Sequence, residues 1–118
     1  MAKYMILIYG DPQQWDAMTP RQQQAHDAAH AEFGVTAGSK IIGGDELELA
    51  PMATSLRMDP SGRVVTTDGP FLETKEALGG YYLLEAADLD EVTALVTRLP
   101  EVRASHSGVE IRPVVDHG

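Results

Sequence analysis

Residues Lys3 to Tyr9, KYMILIY, form an apolar run with no alternation. A strand that shows water one face carries polar residues at every second position. A run without them asks for cover on both faces of its sheet. This demand constrains the chain more than any other feature, because few elements remain to meet it. Gly10, Asp11 and Pro12 break the run. Trp15 follows in a polar stretch, placed as a lid over an apolar edge.

The rest of the chain reads as a short series of elements. Thr19 suits a helix N-cap, Pro20 the first helical position, and Gln22 completes a T-x-x-Q capping box. That helix is predicted to run to Ala37, with Gly38 beyond its end. In KIIGGDELELA, Leu47 and Leu49 alternate with Glu46 and Glu48, which predicts a half-buried strand. ATSLRM and RVVTT flank DPSG, Asp59 to Gly62, a hairpin with a type I-like turn. GGYYLLE predicts another strand. Asp88 caps a second helix whose stripe is Leu89, Val92, Leu95, Val96 and Leu99, and Pro100 stops it. GVEIRPVV is the last strand, with Pro113 at its end.

The order is βαββαβ with a hairpin inserted in the middle. This predicts an α+β, ferredoxin-like antiparallel sheet with two helices on one face. Two helices cover one face only, and nothing else in the chain is left for the other. The expected cover is the same face of a second copy, in a two-fold homodimer, a dimeric α+β barrel. A crevice between sheet and helices is an ordinary place for a small organic molecule.

Composition bounds the partners. The 118 residues suit one domain, 1–118. The net charge is −9 and the nine Lys and Arg are scattered, so no basic patch for nucleic acid or anionic lipid is formed. No apolar run approaches membrane-spanning length, and the N-terminal run is too short for a secretory signal. With no cysteine there is no disulfide framework and no thiolate chemistry. A cytoplasmic protein is expected.

His26 and His30 stand at i and i+4 on the first helix, with Phe33 three residues on, inside an arc of about 60°. Ala29 and Ala37 share that side, so His30 is expected to point inward or at a seam. There it can shuttle protons or hold a ligand. The pair has a metal-ligand spacing, but HDAAH lacks the glutamate of H-E-x-x-H and no third ligand is fixed, so no metal is assigned. His106 and His117 are expected to face solvent. Asp45, Glu46, Asp68, Glu73 and Glu76 are candidate carboxylate partners for His30, which would fix its tautomer and ready it as an acid or base. Among them, Asp45 opens the strand after the helix, at the mouth of the seam. Arg57 and Arg112 are candidates for an anionic group or for pairing with acids on the sheet surface.

TTDGPFLETKEALGGYY, Thr66 to Tyr82, is stiffer than a connection needs to be. Gly69 accepts a positive φ and Pro70 fixes its own, so the chain turns in a defined way. Phe71 is expected to settle on an apolar surface, with Glu73 and Glu76 beside it, lining or covering a pocket.

YMILIYGD, HAEFG, IIGGDEL, VVTTDGPFLETKEALGGYYLLEAADLDEV and GVEIRPV together resemble the YCII-related family, in the branch with a DGPF motif. The resemblance covers nearly the whole chain. It implies a ferredoxin-like fold that pairs into a dimeric α+β barrel, in a bacterial protein. It implies a helix histidine and an aspartate as an active-site pair. The histidine maps onto His30; the aspartate maps onto Asp45 by position or onto Asp68 in the motif. Related barrels include lactone isomerases, dehalogenating lyases and monooxygenases that need no cofactor, so none is implied here. Members of this branch are often encoded beside extracytoplasmic-function sigma factors. Two functions follow as expectations. One is an isomerase- or lyase-type enzyme using a His–carboxylate pair. The other is a metabolite-binding or regulatory module acting with a sigma factor or another protein.

Overall fold

A computed structural model describes residues 1–118. The strands are β1 (Ala2–Gly10), β2 (Ile41–Glu46), β3 (Thr54–Met58), β4 (Val64–Asp68), β5 (Ala77–Ala86) and β6 (Ser107–Pro113). The α-helices are α1 (Pro12–Asp16), α2 (Pro20–Ala37) and α3 (Leu89–Val96). Four strands form an antiparallel sheet in the order β2-β5-β1-β6, an α+β arrangement consistent with a ferredoxin-like fold.

β1 lies in the centre because its apolar run can be covered there. Tyr4, Ile6 and Ile8 point at the helices and are buried, together with Leu84 and Ala86 of β5. Phe33 and Ala37 of α2, Val92 and Val96 of α3, and Leu99 close the core over them. Met5 and Leu7 point the other way, opposite Leu83 and Tyr81, and stay half-exposed.

Both predicted helix starts are present, because capping chemistry is local. Thr19 accepts from the Gln22 amide while the Gln22 side chain accepts from the Thr19 amide. Asp88 accepts from the Glu91 amide at 2.9 Å. The predicted stripe of α3 runs further than its helix. The helix stops at Val96, and Pro100–Val102 form a separate 3-10 turn that still buries Leu99. Leu89, read as part of the stripe, faces solvent.

Leu47 and Leu49 are not strand residues. β2 ends at Glu46, and only one further ladder bond, from the Leu47 amide to the Gly79 carbonyl at 2.9 Å, continues it. Trp15 belongs to α1, which Asp11 caps by accepting from the Gln13 amide. The indole lies so close over Gly10 and Gly79 that a Cβ on either would come within 2.3 Å of it. Gly79 sits where the β1–β5 register slips between Ile8 and Tyr9, so a bulge and two glycines together seat the indole.

β3 and β4 pair only with each other. Asp59 Oδ1 holds the turn between them by accepting from the Ser61 and Arg63 amides. Apart from Ser55, every residue of the two strands is exposed. The pair projects as an arm. The radius of gyration is 16.3 Å, against about 13.5 Å for a compact chain of this length. No helix is long and apolar enough to cross a membrane.

Candidate functional site

α2 carries His30 one turn before Phe33, whose burial fixes the rotation of the helix. β5 carries Tyr82 on the helix-facing side, opposite Ile6. The turn after Leu99 carries Glu101, and Ser107 anchors that turn by donating to the Glu101 carbonyl at 2.9 Å. Three distant segments thus bring an imidazole, a phenol and a carboxylate together.

Both ring nitrogens of His30 are engaged. Nε2 lies 2.8 and 3.0 Å from the two carboxylate oxygens of Glu101, and Nδ1 lies 2.7 Å from the Tyr82 hydroxyl. Glu101 is only 4% exposed. A buried carboxylate accepts but does not donate, so the Nε2 proton belongs to His30. In the neutral ring, Nδ1 then accepts from the Tyr82 O–H. Phe33 packs against the Tyr82 ring with centroids 4.9 Å apart and holds it in place. His26 lies beside the group, its Nε2 3.3 Å from Glu101 Oε2 and its ring 4.7 Å from that of His30.

The electrostatics follow from burial and charge. Burial alone would raise the pKa of Glu101, but the hydrogen bond and charge of His30, helped by His26, outweigh it and hold the carboxyl below its ordinary value. Burial pushes the Tyr82 phenol up, and the Glu101 charge adds to the effect. Tyr82 is therefore a neutral hydroxyl near pH 7, able to donate.

This group forms one wall of a cavity of about 510 Å³. Trp15 and Met18 line the α1 side, Leu47 and Leu49 the segment after β2, and Leu78 to Tyr82 the sheet. Such a volume suits a small organic molecule. Leu47, at the last ladder bond, and Leu49, beyond it, both line this space.

Of the residues expected from sequence, His30, His26 and Asp45 meet at the cavity. Asp45 lies on its rim within 3.5 Å of the Tyr81 hydroxyl, and Glu46 lines the wall beside it. Neither they nor Asp68, Glu73 or Glu76 is the carboxylate against His30; Glu101 is. Asp68 ends β4 on the arm, away from the lining. Glu73 and Glu76 are exposed outside the cavity, and the Glu76 carbonyl accepts from the Thr74 hydroxyl. Phe33 lies beneath Tyr82 rather than at the wall.

Phe71 does not settle on an apolar surface. It is 57% exposed, and its partner is the Arg57 guanidinium 4.5 Å from the ring centroid, on the arm itself. Gly69, at φ 99°, does make the expected sharp turn, its amide donating to Ala53 and its carbonyl accepting from Ser55. Arg112 lies outside the cavity lining and pairs with Glu110 on the open face of the sheet, the second of the two expectations for it. His106 is half-buried rather than solvent-facing, and its carbonyl accepts from the Asp11 amide.

Glu101 was hidden in sequence because it acts over a separation of 71 residues. A faint signal exists: LPEV places a lone carboxylate straight after a helix-stopping proline, between apolar neighbours. Tyr82 was more legible, since it shares strand parity with Leu84 and so faces the helices.

The model of the YCII-related domain family matches residues 2–117. An uncharacterised protein of Rhizobium meliloti (strain 1021) is 29% identical over 114 residues, covering 94% of this chain and 90% of that protein.

Proposed function

The chain belongs to the YCII-related domain family, and we propose that within it this protein binds a small organic molecule in the cavity and moves a proton to or from it. The observation that carries the reading is the double engagement of His30, with a buried carboxylate on Nε2 and a cavity-facing phenol on Nδ1. Glu101 orients the ring and stabilises it when it becomes an imidazolium, as a carboxylate does behind a catalytic histidine. Tyr82 meets the ligand. When it takes a proton from a substrate carbon, its own proton passes to Nδ1, and no free tyrosinate has to form. Reversal delivers the proton to another atom. This is isomerase or lyase chemistry, for which one positioned acid–base group contributes about 10²–10⁴-fold.

Trp15 and the two leucines would exclude water from the ligand. We propose a homodimer as the working assembly: the half-exposed Met5, Leu7, Tyr81 and Leu83 on the open sheet face support it. The arm favours a second reading, a ligand-binding regulatory module with a protein partner such as a sigma factor. Leu56, Met58, Val64, Phe71 and Leu72 are all exposed there, more apolar surface than an isolated arm needs.

The test is a thermal-shift screen of small lactones, ketones and acids, followed by deuterium exchange at acidic C–H positions of each ligand that binds. The enzyme reading expects exchange that Tyr82→Phe and His30→Gln abolish while binding persists. Binding without exchange in any ligand supports the regulatory module instead.

A further inference from the structure

His26 has no part in the relay just described, yet it shares an oxygen of Glu101 with His30. The geometry points to a divalent transition-metal site made by His26, His30 and Glu101. Nε2 of His30 and Nε2 of His26 lie 2.8 and 3.3 Å from the same atom, Glu101 Oε2. One donor atom from each of the three residues falls within 4.8 Å of the others. Ligands at 2.0–2.2 Å from a tetrahedral ion stand about 3.4 Å from one another; the His26–Glu101 separation is already near that value, and the 2.8 Å between His30 and Glu101 has to open by about 0.6 Å to admit the ion. The His26 side chain is 23% exposed, which gives its ring room to swing the remaining distance.

The surroundings favour a cation. Asp16, Asp27, Asp45 and Glu46 line the same cavity, and no Lys or Arg does. Two imidazoles and one carboxylate are a donor set for zinc or for an open-sided iron or manganese centre. The Tyr82 hydroxyl supplies the outer-shell partner, accepting from Nδ1–H of His30 while Nε2 turns its lone pair to the ion. As the ion takes the Nε2 lone pair, the neutral ring changes tautomer: it loses the proton at Nε2 and gains one at Nδ1 by exchange with solvent, with no net release. The open positions face the cavity, where water on the ion would take over the role of base.

This inference uses the cavity and the cluster of the proposed function but does not need a proton relay through a metal-free His30. The experiment is a titration of EDTA-treated, dialysed protein with cobalt(II) by visible absorption, then with zinc(II) by competition. One cobalt per chain is expected, with the intense visible bands of a low-coordinate centre. His26→Ala and Glu101→Gln should each weaken binding by about tenfold or more, while His117→Gln binds as the unaltered chain does. Should Glu101→Gln fail to fold, His26→Ala, at the outer side of the cluster, carries the test. No saturable cobalt binding, or equal binding in His26→Ala, overturns the site. Proton exchange that survives EDTA alongside such a failure leaves the relay standing. Cobalt binding in a protein that takes no organic ligand supports the metal site and sinks the relay.

Discussion

The sheet with its helices and the β3–β4 arm are built on opposite terms. In the sheet, every second residue of β1 from Tyr4 to Gly10 is buried, and a charged Glu101 is drawn in with them. In the arm, apolar and polar residues alike face solvent. The most conspicuous motif of the sequence, DGPF, lies on the arm, whereas the cavity is walled by residues that look ordinary in sequence. A stiff turn shows that a backbone path matters. It does not show that chemistry takes place there.

Several experiments can break this contrast. The largest effect is expected at His30: if the relay operates, His30→Gln lowers proton exchange by about 10²–10⁴-fold, while Phe71→Ala leaves it unchanged in the same isotope assay. A strong loss in Phe71→Ala would move the working site to the arm. Leu84→Ala, in the sheet, should cost about 2–5 kcal/mol in urea unfolding. Leu56→Ala, on the arm, should stay within about 0.5 kcal/mol at concentrations where the chain is monomeric.

A smaller effect is expected at the seat of the single tryptophan. Gly79→Ala pushes a Cβ to 2.3 Å from the indole, so Trp15 must move, at about 1–3 kcal/mol. A red shift of its fluorescence would report the displaced lid. Smallest is the acid limb of stability. Glu101 is held below its ordinary pKa of 4.5 by its imidazole partners. Its contribution is therefore complete above that unfolded value and is lost as pH falls through the lower folded one. Unfolding free energy of the unaltered chain should fall more steeply below pH 4.5 than that of Glu101→Gln.

What the sequence disclosed follows the range of each interaction. The apolar run, the caps at Thr19 and Asp88 and the turn at Asp59 depend on neighbours a few residues away, and all can be read directly. His30 and its inward direction were legible from helical spacing with Phe33. Its partners were not. Glu101 and Tyr82 lie 71 and 52 residues from His30, and only the closed sheet brings them together. The five carboxylates singled out were those near conspicuous glycines, which mark turns rather than proximity to α2. Phe71 misled for a related reason: an aromatic after a rigid turn suggests a buried anchor, but on a two-stranded arm there is no core to enter.

The claim on which the rest depends is that Glu101 and Tyr82 hold His30 in one tautomer. Nitrogen-15 spectra of the imidazoles, recorded in EDTA at a pH alkaline enough that the rings are neutral, test it directly. His30 should show a protonated Nε2 and an unprotonated, hydrogen-bonded Nδ1, and Glu101→Gln should change that pattern. A His30 ring that averages between tautomers and is indifferent to Glu101→Gln would contradict the account.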